Sequence, residues 1–209
     1  MIDFHGSTLL VSPRSPFARR VRLAFREAGL RFEERILQVI PPSPELNARN
    51  PLGRVPTLVL SDGGVLVESS LILQLFHENH PSALDPREPG ARVQMLFLSG
   101  LAIGLMEKAI EWFFEGQKQE SLRDPALLDE VRDIYARVMP LLEGRLQDGR
   151  ESLIDGGLTQ ADLDVTTALT YGMLRVPELV SASRYPKAAF FREKMEARTA
   201  LRETFPPAT

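Results

Sequence analysis

The chain has 209 residues, 44% hydrophobic and 25% charged, which is enough to bury a full core as one large domain or two small ones. It has no cysteine, which excludes disulfides, thiolate metal ligands and a protein thiol nucleophile, and which fits a reducing compartment. The net charge of −3 gives no reason to expect a nucleic-acid partner, and no uninterrupted apolar run reaches the roughly 18–20 residues of a membrane span. The N-terminus carries no signal-peptide pattern, so we expect a cytoplasmic protein without a membrane partner.

The first eighty residues predict strands alternating with helices. An apolar run that stops at a Ser-Pro pair indicates a buried strand, and the apolar residues that follow recur at helical spacing up to Gly29, a typical left-handed cap. A helix joins the first two strands, so they should run parallel, whereas a tight turn joins the last two, so they should be antiparallel. In order, the predicted elements are a strand at Thr8–Val11, a helix from Pro16, a strand at 32–39, one helical turn at 45–48, a strand at 55–60, a turn at 62–64, a strand at Val65–Val67 and a helix at Ser69–Asn79.

The remainder predicts only helices. Residues 81–90 contain three prolines and a glycine, which is typical of a linker. We therefore place a first domain at 1–83, a linker at 84–90 and an all-helical domain at 91–209. Its predicted helices lie at 91–119, at 125–147, from a capping box at 159–162, and at 186–197.

In the first domain, the helix at Ser69–Asn79 should bury one face, which consists of Leu71, Ile72, Leu75 and Phe76.

Four short motifs lie at the junctions of this pattern: SPRSPF at 12–17, NPLGRVP at 50–56, ES at 68–69 and GLTQAD at 157–162. Together with the element order, they resemble the cytosolic glutathione transferases, and the first motif resembles the bacterial serine-type members. Arg54 stands where the family usually has lysine. The resemblance implies an α/β thioredoxin-like N-terminal domain followed by an all-α helical-bundle C-terminal domain. It also implies glutathione as co-substrate, no metal, and a homodimer.

Ser15 is the candidate catalytic residue. It lies where the first strand turns into the first helix, so its hydroxyl and the helix N-terminus could both stabilise an anion. A thiol of pKa ~8.5 is only about 3% ionised at pH 7, so such stabilisation supplies more nucleophile. In serine-type transferases the residue at this position donates to the glutathione sulfur, and the resemblance implies this role for Ser15. The alternatives are that Ser15 only caps the helix, or that Ser12 is the donor.

Val55-Pro56 resembles the family's cis-proline site. By that resemblance, the Val55 backbone pairs with the cysteinyl part of glutathione like an added strand. The alternative is a trans proline that only starts an edge strand.

Glu68 and Ser69 open a helix, where backbone N–H groups and a hydroxyl favour a carboxylate and where Glu68 can accept from an ammonium group. The resemblance assigns this pair to the γ-glutamyl end of glutathione, and plain helix capping is the alternative. Arg54 and Gln38 are candidate partners of the glycine carboxylate, or simply solvated side chains.

The second substrate, a small electrophile, is expected between the two halves. Its candidate walls are Arg14, Phe17, Ile103, Met106 and Phe113, although aromatic residues and methionine at helical spacing are more often core. Three adjacent aromatic residues, Trp112, Phe113 and Phe114, cannot all face one side of a helix, so at least one should face solvent, a pocket or a partner.

Other charged residues have simpler interpretations. Arg19, Arg22 and Arg26 share one face of the first helix, which we expect to be solvated, with an anion-facing or dimer-facing role as the alternative. The three histidines lack neighbours at metal-ligand spacing.

The leading hypothesis is a glutathione transferase that transfers the glutathione thiolate to small hydrophobic electrophiles. One alternative is a glutathione-dependent peroxidase or disulfide reductase of a kind that needs no protein cysteine. The other is a non-catalytic binding protein of the same fold, since fold does not determine function.

Overall fold

A computed structural model describes residues 2–80, 84–146 and 152–207. The chain forms two compact units, one of Met1–Asp85 with Thr199–Thr209 and one of Pro86–Arg198. The elements are β1 Thr8–Val11, α1 Pro16–Glu27, β2 Glu33–Ile36, α2 Pro44–Arg49, β3 Thr57–Val59, β4 Val65–Val67, α3 Ser69–Asn79, α4 Pro89–Gln117, α5 Pro125–Arg145, α6 Gln160–Arg175, α7 Pro186–Glu196 and α8 Thr199–Glu203, with 3₁₀ turns at Glu120–Leu122 and Pro177–Leu179.

The first unit contains a mixed four-stranded sheet in the order β2-β1-β3-β4. Strands β1 and β2 are parallel, while β3 is antiparallel to both β1 and β4. The α/β thioredoxin-like fold predicted for this half is confirmed, as is the helical character of the other half. Strands β2 and β3 are shorter than predicted, since they cover only Glu33–Ile36 and Thr57–Val59.

Aromatic side chains fill the core of the first unit between α1 and α3. The ring of Phe25 lies 5.8 Å from that of Phe4 and 5.1 Å from that of Phe76. The predicted inner face of α3 is partly wrong, because Leu71 is 55% exposed and Leu73 is buried in its place. The helix is therefore rotated relative to the face that the apolar spacing indicated.

Helix α1 does not present a solvated arginine face, so that expectation is wrong. Arg19, Arg20 and Arg22 are 1%, 3% and 8% exposed. Arg22 and Arg26 both bind the carboxylate of Glu34 on β2, at 2.7 and 2.9 Å. Burial tends to raise the pKa of Glu34, but the hydrogen bonds and positive charges of Arg22 and Arg26 outweigh it and hold the pKa below its ordinary value.

The C-terminal segment packs on α1. The Arg19 side chain donates to the Leu201 carbonyl oxygen at 2.9 Å and to the Thr204 hydroxyl at 3.4 Å. Arg26 also binds Glu203, at 2.5 Å. Residues from Thr199 onward therefore group with the first unit, although the sequence had assigned them to the helical domain.

Helix α6 is the centre of the second unit, and almost all of it is buried. The predicted capping box is confirmed: the Asp162 carboxylate accepts from the backbone N–H and the hydroxyl of Thr159, at 2.7 and 2.8 Å. It also accepts from the Leu153 N–H at 2.6 Å. Burial raises the pKa of Asp162 more than these hydrogen bonds lower it.

Helix α4 is long and apolar enough to cross a membrane by length and composition alone. It is a core helix of the second unit, packed mainly on α6. Its buried side chains include Met95, Leu98, Ala102, Leu105 and Met106. Residues 81–83 of the proline-rich stretch and Gln147, at the predicted end of the helix at 125–147, lie outside the described residues.

Candidate glutathione site

Three junctions of the first unit meet at one end of the sheet. Thr57, which begins β3, is paired with Leu10 near the end of β1 and with Val67 at the end of β4. Adjacent strands lie about 4.8 Å apart. The segments that follow β1, precede β3 and follow β4 are therefore neighbours, and they carry Ser15, Val55-Pro56 and Glu68-Ser69.

Ser15 is the N-cap of α1, and Pro16 occupies the first turn. The Ser15 Oγ atom accepts a hydrogen bond from the Ala18 N–H at 3.1 Å. This bond uses a lone pair of the oxygen and leaves the hydroxyl proton available. No acceptor for that proton lies among the described residues, so Ser15 can cap its helix and still donate to a further group.

Ser12 lies in the turn before Ser15. Its carbonyl oxygen accepts from the Ser15 N–H at 3.0 Å, which holds the turn closed. The Ser12 side chain is not bonded to any residue that the structure describes, so the alternative of Ser12 as the donor stays open.

The peptide bond between Val55 and Pro56 is cis. The loop before it is held by the buried side chain of Asn50, whose amide donates to the Arg54 carbonyl at 2.9 Å and to the Thr57 hydroxyl at 3.0 Å. The Val55 N–H and C=O have no partner among the described residues. A peptide-like ligand can therefore pair with them in the manner of an added strand.

Gly53 gives this loop its shape. Its φ is +61°, and a Cβ atom there would lie 2.8 Å from the Pro42 side chain. Any other residue would meet both backbone strain and a clash, so the loop requires glycine.

The turn between β4 and α3 carries Glu68 and Ser69. Glu68 has a φ of 68°, an uncommon conformation for a residue with a side chain. Its side chain is exposed and makes no capping hydrogen bond. Ser69 is 5% exposed at the start of the helix. A free carboxylate and a helix N-terminus thus lie side by side, and they suit a ligand group with both charges on one carbon.

Arg20 completes this corner and was missed by sequence reasoning, which considered only Arg19, Arg22 and Arg26 among the arginines of α1. Its Nη1 atom donates to the Ser69 hydroxyl at 3.1 Å and to the Ser70 hydroxyl at 3.0 Å. Its buried positive charge adds to the potential at the start of α3 and favours an anion there. The Arg-Arg pair at 19–20 gave no signal that distinguished it from a surface pair.

The remaining candidates are divided between the two units. Arg54 and Gln38 are exposed, and the Gln38 amide donates to the Ile40 carbonyl at 3.3 Å. Arg14 is exposed and Phe17 is partly buried in the first unit. In the second unit Ile103 and Phe113 are partly buried. Met106 is 0% exposed, which makes it a core residue rather than a pocket wall.

The aromatic triplet Trp112-Phe113-Phe114 satisfies the expectation that one member should face outward, since Phe114 is 46% exposed.

Within residues 2–80, 84–146 and 152–207, no group of three or more His, Asp or Glu side chains is placed to hold a metal ion.

Comparison with known proteins identifies the family. A family model for the N-terminal domain of glutathione S-transferases matches residues 9–87. A glutathione S-transferase of Methylobacterium radiotolerans, solved with glutathione sulfonate, is 30% identical with a TM-score of 0.90, and the match covers 97% of this chain and 96% of that one. The chain belongs to the glutathione S-transferase family.

Other relatives agree. A glutathione S-transferase of Methylobacillus flagellatus, solved with glutathione bound, is 27% identical with a TM-score of 0.88. The match covers 97% of this chain and 100% of that one. The uncharacterized GST-like protein YibF of Escherichia coli K12 is 28% identical over 144 residues, which are 68% of this chain and 70% of that protein.

Proposed function

We propose that this glutathione S-transferase family member is an enzyme of the serine type that transfers the glutathione thiolate to small hydrophobic electrophiles. The proposal depends chiefly on the unused hydroxyl proton of Ser15 at the sheet end where the Val55 and Glu68 segments also meet. The glutathione complexes of relatives from Methylobacterium and Methylobacillus support the choice of ligand.

In this proposal each part of glutathione has a partner in the first unit. The γ-glutamyl ammonium group binds the Glu68 carboxylate, and its carboxylate accepts from the Ser69 N–H and hydroxyl. The cysteinyl backbone pairs with Val55 ahead of the cis Pro56. The glycine carboxylate lies near Arg54 or Gln38.

The glutathione thiol gives up its proton to solvent, and the Ser15 hydroxyl donates a hydrogen bond to the sulfur and stabilises the thiolate, as an oxyanion-type donor does. The thiolate attacks the electrophilic carbon, a carbon–sulfur bond forms, and the leaving group departs with its electron pair. Arg14 and Phe17, which lie next to Ser15 in the sequence, are the proposed electrophile contacts in the first unit. The reaction needs glutathione, so the proposal places the enzyme in the cytoplasm, where thiols are kept reduced.

Isothermal titration with glutathione, combined with 1-chloro-2,4-dinitrobenzene kinetics, tests the assignment of Ser15. We expect Ser15→Ala to bind glutathione nearly as well as wild type, to raise the pKa of the bound thiol and to lower kcat/KM by about 10²–10³-fold. Ser43→Ala is the matched control: it also removes a serine N-cap, that of α2, which accepts from the Leu46 N–H at 3.3 Å. Ser43→Ala should retain full activity.

The outcomes separate the hypotheses. A loss of activity in Ser12→Ala instead of Ser15→Ala would transfer the role to Ser12. Turnover of cumene hydroperoxide without conjugation would favour the peroxidase. Glutathione binding with an unshifted thiol pKa and no turnover would indicate a binding protein. No binding at millimolar glutathione would refute the proposal.

We also propose a homodimer. Val93, Leu96 and Phe97 are 67%, 57% and 51% exposed, and their spacing puts them on one face of α4. A second copy of the chain would cover this apolar stripe. Sedimentation should report a dimer for wild type and a monomer for Phe97→Glu, whereas a monomeric wild type would contradict the proposal.

A further inference from the structure

Arg20 lies in the second turn of α1, and its side chain reaches the start of α3 within the first unit. The residue is 3% exposed. Its Nη1 atom donates to the Ser69 hydroxyl at 3.1 Å and to the Ser70 hydroxyl at 3.0 Å. One guanidinium thus connects the helix that is capped by Ser15 with the helix start that is proposed to bind the γ-glutamyl end of glutathione.

The hydrogen bond from Arg20 determines what the Ser69 hydroxyl can still do. A serine hydroxyl has one proton and two lone pairs, whereas a guanidinium has donors only. Arg20 therefore occupies a lone pair of the Ser69 oxygen and cannot accept its proton. In the part of the chain that the structure describes, no other group accepts that proton.

Ser69 and Ser70 differ in their access to water. Ser70 is exposed, so water can accept its hydroxyl proton. Ser69 is only 5% exposed, and a buried donor without an acceptor is unfavourable. The Ser69 proton therefore needs an acceptor from a ligand, and a carboxylate oxygen is the strongest acceptor available in a peptide.

The positive charge of Arg20 favours the same kind of ligand group. A guanidinium stays charged throughout the physiological pH range, and the free N–H groups at the start of a helix are also positive. The side chain of Glu68, the N-cap of α3, makes no hydrogen bond to these N–H groups. A cation behind the Ser69 hydroxyl makes that hydroxyl a stronger donor, and the strengthening is largest toward an anion.

We infer that Arg20 is a positioning residue that acts through the Ser69 hydroxyl and makes the site select thiols with a carboxylate at the γ-glutamyl end. This inference rests on the proposed function, which assigns Ser69 to that carboxylate. Its alternative is a purely structural arginine that only ties α1 to the start of α3.

A matched pair of thiols tests the inference: glutathione and 4-aminobutyryl-cysteinyl-glycine. The second compound keeps the ammonium group, the thiol and the glycine carboxylate, but it lacks the carboxylate of the γ-glutamyl end. Isothermal titration gives the Kd of each thiol without any chemical step. The ratio of the two Kd values therefore measures recognition of that one carboxylate.

Arg20→Met should weaken glutathione binding by about tenfold and change the Kd of the analogue by less than about threefold. Arg22→Met is the matched control, because Arg22 is also a buried arginine of α1 but binds Glu34 on β2. It should leave both Kd values unchanged. If Arg20→Met does not fold, Arg20→Lys takes its place: it keeps the charge but not the planar fork, and it should weaken glutathione alone by about threefold.

A double-variant cycle separates action through Ser69 from an independent effect. Ser69→Ala should also weaken glutathione more than the analogue. Because Arg20 acts through the Ser69 hydroxyl, the combined variant should lose clearly less affinity for glutathione than the product of the two single losses.

Equal losses for both thiols in a folded Arg20 variant, or no loss for either, would overturn the inference, since a purely structural arginine would give one of these results. Independent losses in the double-variant cycle would also contradict it. Failure of the proposed function looks different. If wild type binds glutathione in an Arg20-dependent way but does not conjugate 1-chloro-2,4-dinitrobenzene, the transferase proposal fails and the role of Arg20 stands.

Discussion

Helix α1 of the first unit and helix α6 of the second both bury polar side chains, but the partners of those side chains lie at very different distances along the chain. In α1, Arg20 reaches Ser69, 49 residues away, and Arg19 reaches the Leu201 carbonyl, 182 residues away. In α6, Asp162 binds Thr159, three residues away, and the Thr166 hydroxyl donates to the Asp162 carbonyl, four residues away.

The two helices thus satisfy their buried polar side chains in two different ways. A helix whose buried polar groups have partners three or four residues away can form those hydrogen bonds together with its own turns. A helix that depends on distant partners becomes fully satisfied only after the rest of its unit has folded around it. Helix α1 is of the second kind, and it carries Ser15 and Arg20 at the candidate glutathione site.

The largest expected effect concerns the hydrogen bonds of Asp162 at the start of α6, whose partners are close in the chain. Asp162→Ala removes the acceptor of three hydrogen bonds, from the Leu153 N–H and from the N–H and hydroxyl of Thr159. We expect the free energy of unfolding to fall by about 2–4 kcal/mol, since buried donors lose their partners. Urea denaturation measures this, and Thr159→Ser, which keeps the hydroxyl, is the control. A loss below about 1 kcal/mol would show that the capping box matters less than its geometry suggests.

The next effect tests the hydrogen bonds that Arg19 of α1 makes with the distant C-terminal segment. Arg19→Met removes the hydrogen bonds to the Leu201 carbonyl and the Thr204 hydroxyl. We expect a loss of about 1.5–3 kcal/mol in unfolding free energy. Hydrogen exchange should rise in the segment that begins at Thr199, far away in sequence. If exchange instead rises only within α1, the distant partner contributes little and the contrast between the two helices fails.

A smaller effect depends on pH. The pKa of Glu34 lies below its ordinary value of 4.5 in the folded protein. Ionised Glu34 therefore stabilises the fold above pH 4.5, and this contribution fades as the pH falls through the lower folded-state pKa. Glu34→Gln should lower the unfolding free energy at pH 7 by about 1–2 kcal/mol, and the two proteins should converge in acid.

Glu45→Gln is the matched control for Glu34→Gln. It breaks an ion pair with Arg35 in which both side chains are well exposed, 54% and 39%. The change in unfolding free energy should stay below about 0.5 kcal/mol. Parallel pH curves for wild type and Glu34→Gln would contradict the role assigned to the two arginines of α1.

The smallest effect compares two hydroxyls that share one donor. Ser70 is exposed and Ser69 is buried, and both accept from Arg20. Ser70→Ala should cost about 0.5 kcal/mol or less because water can replace its oxygen, whereas Ser69→Ala should cost about 1–2 kcal/mol. Thermal unfolding of the two variants measures the difference, and equal losses would show that burial does not govern this corner.

Much of the fold could be predicted from the sequence because its signals are local. The strand Thr8–Val11 and the helix Ser69–Asn79 have the predicted bounds. The GLTQAD motif indicated the capping box from a spacing of three residues. The predicted inner face of α3 was partly wrong, since an apolar run with Leu71, Ile72 and Leu73 fits more than one rotation, and packing selected the one that exposes Leu71.

The candidate site divides in the same way. Ser15 and Glu68-Ser69 could be proposed because their types and positions at helix starts favour binding of an anion. Arg20 could not, since its role depends on α1 lying against the start of α3. Asn50 belonged to a recognisable motif, but its hydrogen bonds to Arg54 and Thr57 became visible only in the folded loop.

The order of strands and helices, the turns between them and the capping residues all follow from the amino-acid order, because each depends on groups only a few residues apart. The buried arginines of α1 and the docking of the C-terminal segment on the first unit depend on groups that approach each other only when distant parts of the chain pack. No spacing along the chain encodes such contacts, since they are set by the three-dimensional arrangement of the elements.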